Sequence, residues 1–266
     1  MAEITQHQNQ RITIRVGQGT LSFSIVGPDG NVVYEPYVVK SGVSMAANLR
    51  EAFKTSDLLL LSKRGRVLID SDVLMVPVEL FETGTMAQWH RHAYPRHEQD
   101  TILYNVLPNL NAVSVFSINK DLKLVFDDHF PDVKFISAIS PVWRHLHHRS
   151  YTGTRHKLYG YFHEQRLEVF SFQQNRFTFC NTFAVRQAHD SLYFLLYVWK
   201  QLQLQPLYDE LHIVGDIPEQ QWLLAELRRY LRKAYVINPS ADFNRAQVTE
   251  IKGMPYDLQT LFVKGR

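Results

Sequence analysis

The sequence has few of the features that mark secreted, membrane-spanning or disulfide-rich proteins. Among its 266 residues Cys180 is the single cysteine, so no disulfide can form within the chain. The longest apolar stretch, Ser191 to Trp199, is far shorter than the roughly 20 residues that cross a bilayer. The N-terminal segment MAEITQHQNQ has no apolar core of a signal peptide. These absences predict a cytoplasmic protein with no membrane partner.

Several common catalytic and nucleotide-binding signatures are missing too. The sequence has no GxxxxGK(S/T) phosphate loop, no GxSxG nucleophile elbow and no CxxC pair. The net charge is +3, from 29 Lys and Arg against 26 Asp and Glu, which is too small to indicate nucleic-acid binding. We therefore expect neither a nucleic-acid partner nor an enzyme of these classes.

The composition is that of a globular protein, with 45% hydrophobic and 21% charged residues. The segment ITIRVGQGTLSFSIVGPDGNVVYEPYVV, residues 12–39, reads as three consecutive strands joined by tight turns at Gly17–Gly19 and Pro28–Gly30. A helix with Ser44 as its N-cap follows. Further strands are predicted at RVLID, Val73–Phe81, Asn111–Asn119 and DVKFISAI, and helices at KDLKLVFDDHFP and from Ser140 onwards.

The same order returns in the second half of the chain. Three short-looped strands begin at Lys157 and are followed by a long helix from about Ala184 to Leu204. A buried strand at Glu210–Asp216, a helix entered at Pro218 and a strand at AYVINP complete the pattern. Two halves about 146 residues apart predict a duplication with domains at 1–150 and 151–266; two halves that are alike by chance are the alternative.

This duplicated order resembles the superfamily that contains actin and the sugar kinases, in which two ribonuclease H-like halves flank a nucleotide cleft. The size and element order are similar to those of the pilus-assembly and type II secretion members. More narrowly, VLMVPVELF followed by AVSVFSIN, with the ending MPYDLQTLF, resembles an uncharacterised bacterial family of unknown function with an actin-like ATPase fold. The resemblance implies an α/β fold of two lobes, each with a three-strand antiparallel meander, parallel strands and helices.

The resemblance also implies where nucleotide motifs would stand. Each phosphate loop of the superfamily needs a carboxylate for hydrated magnesium and a glycine for close backbone approach. At the first loop Arg15 replaces the acid, while Gly17 and Gly19 remain. At the second loop stands His163, and the adenosine motif keeps one glycine, Gly215. We therefore expect these five residues to line a remnant cofactor cleft without catalysis or a bound cofactor, although hairpin turn chemistry alone would also explain Gly17 and Gly19.

Two histidine-rich stretches invite other readings. In WHRHAYPRHE, His90 and His92 could share a metal on a strand but not on a helix, and an exposed polar segment is the favoured interpretation. In WRHLHHRSYTGTRHK, residues 143–157, four histidines and four basic residues could attract an anion. A solvated helix end and linker is the simpler interpretation there.

The leading hypothesis is a non-catalytic, actin-like pseudo-ATPase that serves as an interaction or scaffold module for an unknown protein partner. The alternative is a nucleotide-binding or other phosphate-binding protein that uses the interlobe cleft, with weak or no hydrolysis. A metal-dependent enzyme that uses the histidines is the third hypothesis.

Overall fold

The computed structural model describes residues 10–97, 99–151 and 155–263. Contacts between Cα atoms divide the chain into two compact units. The first comprises Met1–Leu107, Ala112–Ser140 and Glu250–Met254, and the second Pro108–Asn111, Pro141–Thr249 and Pro255–Arg266. The domain ranges 1–150 and 151–266 differ in their bounds from these units and remain a prediction.

The first unit is built on a five-stranded sheet with a short second sheet inserted in its sequence. Its strands are β1 (Arg11–Val16), β2 (Leu21–Val26), β3 (Val32–Tyr37), β4 (Arg64–Ile69), β5 (Val73–Pro77), β6 (Thr101–Leu107), β7 (Ala112–Ile118) and β8 (Asp132–Ser137). Its helices are α1 (Met45–Thr55), α2 (Asp57–Leu60), α3 (Met86–Ala93) and α4 (Lys120–His129). The large sheet has the order β3-β2-β1-β4-β8, and the small one β5-β7-β6.

The second unit repeats the large sheet without the insertion. Its strands are β9 (Lys157–His163), β10 (Arg166–Gln173), β11 (Arg176–Ala184), β12 (Glu210–Gly215) and β13 (Ala234–Val236), in the order β11-β10-β9-β12-β13. Its helices are α5 (Ile139–Ser150), α6 (Ala188–Gln201), α7 (Gln220–Tyr230), α8 (Pro239–Asp242) and α9 (Tyr256–Phe262).

The two large sheets agree in strand order, strand direction and register. In each, an antiparallel meander is followed by two parallel strands. Val16 pairs with Ile69 on β4, and Phe162 pairs with Gly215 on β12. Phe162 and Gly215 stand 146 positions after Val16 and Ile69, so the repeated order predicted from the sequence is confirmed.

On one face of each large sheet, apolar side chains that alternate along the strands pack against helices. In the first unit this core holds β-strand residues such as Ile14, Phe23 and Val67 packed with Leu49 and Phe126 of the helices. In the second unit Leu158, Phe162 and Ile213 pack with Leu195 and Leu223. In the second unit the other face is buried too, and Phe170 packs there against Trp143 of α5. The opposite faces carry Arg15 and His163 and position the candidate sites.

The inserted region differs from the sequence prediction in two places. The strand predicted at Val73–Phe81 ends at Pro77, and a 3₁₀ turn at Val78–Leu80 follows. Proline cannot donate a ladder hydrogen bond, which suits the end of an edge strand. Strand β6, Thr101–Leu107, was missed although its composition is β-rich. None of the helices within the described residues is long and apolar enough to cross a membrane.

Candidate functional site

Arg15, the residue in the place of the expected acid, is buried on β1 and engaged with its neighbours. Its Nη1 donates to the Thr20 hydroxyl at 3.0 Å, and its Nη2 lies 3.4 Å from Oδ2 of Asp70. The side chains of Arg15 and Asp70 are 3% and 4% exposed. Asp70 follows β4 directly, where its amide donates to the Val16 carbonyl. The structure thus adds an acid that the motif comparison missed, and it joins that acid to a guanidinium.

The β1–β2 turn places Gly17 and Gly19 next to this ion pair in sequence. The Gly17 amide donates to the Thr20 carbonyl at 2.8 Å and closes the turn. Neither glycine adopts a positive φ. A Cβ added at Gly19 would meet no atom within 4 Å. The conformation of the turn therefore does not require glycine at position 19. Hairpin turn chemistry alone does not explain Gly19.

The corresponding turn of the second unit carries His163 at the end of β9. Its Nε2 lies 3.5 Å from the Glu168 carboxylate, and its ring stacks on Tyr161 with centroids 4.6 Å apart. Arg166 approaches the same carboxylate at 3.6 Å, so Glu168 lies between two basic groups. Tyr161, which stands at the position that Arg15 holds in the first unit, donates its hydroxyl to Asp257 at 3.2 Å.

Gly215 has a structural reason that is independent of any ligand. Its φ is +98°, and a Cβ at this position would lie 2.0 Å from the carbonyl oxygen of Phe162. That carbonyl accepts the amide of Asp216, the residue that follows the strand. Only glycine fits this close approach of β12 to β9. The assignment of Arg15, Gly17, Gly19, His163 and Gly215 to one remnant nucleotide site stays a prediction.

His90 and His92 lie on the helix α3, where they do not share a face. His90 is fully buried, and its Nε2 lies 3.2 Å from the Asp72 carbonyl. Burial lowers the pKa of His90, so the ring is neutral and donates from Nε2. Within residues 10–97, 99–151 and 155–263, no group of three or more metal-ligating side chains could hold an ion.

The basic stretch that begins at Trp143 is solvated in part and packed in part. Arg144, His148, Arg155 and His156 are exposed, as a solvated helix end and linker predict, whereas other groups of the stretch are packed. His147 is buried and lies 3.0 Å from the Gln174 carbonyl. His145 lies 2.6 Å from the Asp242 carboxylate, which Arg149 also contacts. Residues 152–154 of the stretch lie outside the described part of the chain. Tertiary contacts with β10, β11 and α8, which the local sequence does not show, bury these groups.

Cys180 lies mid-strand on β11, as the sequence indicates. Burial of the sulfur, together with the Glu168 carboxylate, raises the pKa of the thiol well above its ordinary value. A thiol that stays protonated is a poor nucleophile or metal ligand, so Cys180 serves in packing.

Comparison with known proteins gives the family and the fold. A family model described as "Protein of unknown function (DUF3822)" matches residues 2–234. A solved Bacteroides thetaiotaomicron protein with actin-like ATPase fold and unknown function is 28% identical, with all of both chains covered and a TM-score of 0.86. A chain of a PilM–PilN type IV pilus biogenesis complex is 11% identical, with 95% of this chain and 97% of that chain covered and a TM-score of 0.53.

No curated protein matches the sequence. The second likeness supports the fold alone, because its sequence identity is low. The first extends over the whole chain and agrees with the duplicated sheets described above. The protein therefore belongs to the family of unknown function DUF3822, and its fold is that of the actin-like ATPases.

Proposed function

We propose that this protein is a non-catalytic, actin-like pseudo-ATPase that acts by binding a protein partner. The observation that carries the proposal is the buried contact between Arg15 and Asp70. Without Arg15, the Asp70 carboxylate at the end of β4 could bind a hydrated cation. In this structure the Arg15 guanidinium balances the negative charge of Asp70 in place of a cation.

Phosphoryl transfer needs a metal ion or an equivalent positive centre placed against the phosphate, with a positioned water. A divalent cation close to Arg15 would experience like-charge repulsion in a poorly screened site. The side chain of Arg15 is also committed to Thr20 and Asp70. These contacts favour a structural use of the first hairpin over magnesium-dependent hydrolysis.

The second unit supports the same proposal. Where a second metal-binding acid would stand, His163 lies beside Glu168, and Arg166 shares that carboxylate. Both charged partners are buried, with side chains 7% exposed. Gly215 is explained by strand packing, so its presence does not argue for an adenosine site.

A protein partner is favoured by analogy of fold. The PilM chain, with a TM-score of 0.53, is described within a complex with PilN. A fold of this type can therefore work as part of an assembly, and we extend that use to this chain, in the cytoplasm.

The catalytic half of the proposal is tested by phosphate release from ATP and GTP with magnesium. We expect the rate of buffer alone for the purified wild-type chain. Activity that is present in the wild type and lost in the Asp70→Asn variant would overturn the proposal, because contamination would not follow that substitution. Circular dichroism of both proteins verifies that the variant is folded.

The interaction half is tested with the tagged chain at its natural level in gently lysed native cells. On size exclusion we expect it to elute above the mass of a single chain, with a defined partner identified after crosslinking. Elution as a single chain before and after crosslinking would contradict a stable protein partner.

A second candidate, a phosphate-bearing ligand held at the first hairpin, is favoured by one observation. Gly19 is exposed and has no conformational or packing need for glycine, which leaves close backbone approach of a ligand as a reason for it. Thermal-shift titration with ATP and with pyrophosphate, each with and without magnesium, tests this candidate. A shift that Gly19→Val abolishes would support it, and no shift at millimolar concentration would reject it.

A further inference from the structure

A cavity of about 710 Å³ lies within the second unit, and its lining includes none of the five predicted nucleotide residues. Its lining combines charged, aromatic and apolar groups from β12, β13, α8 and the end of α5: Arg149, Glu210, His212, Tyr235, Val236, Ile237, Asn238, Ala241 and Asp242. Its volume falls in the range of pockets for small organic molecules.

One wall is the open end of a ladder of aromatic rings. Phe170, Tyr159, His212 and Tyr235 occupy paired positions on the neighbouring strands β10, β9, β12 and β13. Successive ring centroids are 5.7, 5.6 and 5.4 Å apart, with interplanar angles of 19°, 28° and 33°. Strand β13 ends the sheet, and Tyr235 is 42% exposed there. A planar ring of a ligand can add the next member of this ladder.

The cavity also presents one accessible group of each charge. The Arg149 side chain is 36% exposed and lines the cavity while its guanidinium contacts Asp242. The Glu210 side chain is 22% exposed, and its Oε2 lies 3.0 Å from Nε2 of His212. Burial lowers the pKa of His212, so this ring is neutral near pH 7. The Oε1 atom of Glu210 lies 3.7 Å from Nζ of Lys233, so a ligand ammonium would share the carboxylate with that lysine.

The charged groups are held in place before any ligand arrives. Asp242 is 6% exposed and is contacted by both Arg149 and His145. The Oδ1 atom of Asn238 accepts a hydrogen bond from the Ser240 amide at 3.0 Å. This bond fixes the side-chain amide, and its NH₂ group points away from Ser240. Prior fixation of this kind reduces the entropy lost on binding.

One ring of the ladder, Tyr159, carries a buried hydroxyl. Tyr159 is fully buried, and among the described residues its hydroxyl has no hydrogen-bond partner. Burial raises the pKa of this phenol, so the hydroxyl stays protonated. Buried hydroxyls of this kind are commonly satisfied by water or a ligand atom.

We propose that this cavity binds a small zwitterion that carries an aromatic ring, in the class of the aromatic α-amino acids. The ring stacks on Tyr235, the ligand carboxylate accepts from Arg149 and Asn238, and the ligand ammonium donates to Glu210. This site is independent of the proposed pseudo-ATPase function. A multiply phosphorylated ligand is disfavoured because Glu210 and Asp242 are both anionic.

Isothermal titration of the full chain with L-phenylalanine and L-tryptophan tests the proposal. N-acetyl-L-phenylalanine lacks the ammonium charge, L-phenylalaninamide lacks the carboxylate, and L-cyclohexylalanine lacks the aromatic ring. We expect saturable binding of at least one amino acid and at least about tenfold weaker binding of all three analogues. Absence of binding of both amino acids at millimolar concentration overturns the proposal, as does equal affinity for the analogues.

Variants place the binding in this cavity. Tyr235→Ala should weaken binding about tenfold or more, Tyr235→Phe should retain it, and Tyr230→Ala should leave it unchanged. Tyr230 is a matched control because it is 57% exposed in the same unit and does not line the cavity. Equal binding by Tyr235→Ala and Tyr230→Ala would refute this location.

Glu210→Gln separates charge recognition from packing. It should weaken binding of the amino acid while leaving the affinity for its N-acetyl derivative unchanged, and an equal loss for both would refute the ammonium contact. If Tyr235→Ala fails to fold, Ala241→Leu serves instead, because Ala241 is exposed and a larger side chain there fills the cavity. Unchanged binding by a folded Ala241→Leu protein would also overturn the site.

Discussion

Nη2 of Arg15 lies 3.4 Å from Oδ2 of Asp70, and both side chains are almost wholly shielded from solvent. Arg15 lies on β1, and Asp70 directly follows the adjacent parallel strand β4, where Val16 pairs with Ile69. Such a pair is costly to break from one side, because the remaining charge stays in a poorly hydrated place.

We predict that Arg15→Ala lowers the free energy of unfolding by about 3–5 kcal/mol, the usual cost of leaving a buried charge unpaired. Urea denaturation at pH 7 measures the effect. Arg229→Ala is the matched control, since its ion pair with Glu226 is exposed on the arginine side and should contribute less than about 1 kcal/mol. Similar losses for the two variants would show that Asp70 is not compensated by Arg15.

Gly215→Ala should destabilise the second unit strongly. The added Cβ would lie 2.0 Å from the Phe162 carbonyl, at a φ of +98° that side chains disfavour. We expect a loss above about 3 kcal/mol, or failure to fold, measured by urea denaturation.

Gly19→Ala is the companion of that substitution. Its Cβ would meet no atom within 4 Å, and its φ is not positive. Its free energy of unfolding should therefore change by less than about 1 kcal/mol. A large loss at position 19 would mean that the turn needs glycine for a reason outside these contacts.

Stability should depend on pH through His90. Burial holds the pKa of His90 below its ordinary value of 6.5, so the unfolded chain binds the proton more readily than the folded chain. The stabilising contribution is therefore complete above pH 6.5 and is lost as the pH falls below that value. Denaturation curves at a series of pH values between 8 and 5 measure this loss.

His90→Gln isolates that contribution, because glutamine can still donate to the Asp72 carbonyl but does not titrate in this range. The difference in free energy of unfolding between wild type and variant should shrink as the pH falls from 8 to 5. A constant difference would contradict a depressed pKa.

Asp242 should make the stability depend on pH in the acidic range, and here too stability should fall as the pH falls. Burial opposes its ionisation, but hydrogen bonds and charges from His145 and Arg149 outweigh that effect and hold the pKa below 3.8. Its stabilisation is present above 3.8 and is lost as the pH falls through the folded-state pKa. Asp242→Asn should cost about 1.5–3 kcal/mol at pH 7. Below pH 3.8 the cost should diminish, as measured by urea denaturation across this pH range, and an unchanged cost would refute the assignment.

The meanders and their repetition were predictable because they depend on local alternation and short turns. Strand β6 was not predicted because no clear turn signal separates it from the histidine-rich segment that precedes it. The pairing of Arg15 with Asp70 was not predictable, since the two residues are 55 positions apart and meet only through the register of β1 and β4.

The same reasoning applies to the part of the basic segment that is buried, whereas Arg144, His148, Arg155 and His156 are exposed as predicted. Counting charge in residues 143–157 predicts a solvated surface, whereas His147 packs against Phe172 and Tyr151. Only the folded chain brings Asp242 to Arg149, 93 positions away. The cavity could not be predicted for the same reason. The sequence did predict the strands that carry His212 and Tyr235, but not that these strands are neighbours.

The ladder that ends at Tyr235 gives the second unit an optical property of its own. At the positions of Phe170, Tyr159 and His212, the first sheet carries Ser24, Thr13 and Arg66. Closely spaced aromatic rings in a fixed, twisted array contribute to near-ultraviolet circular dichroism, and serine, threonine and arginine side chains do not. The ladder therefore adds to the near-ultraviolet signal of the second sheet a contribution that the equivalent positions of the first sheet do not make.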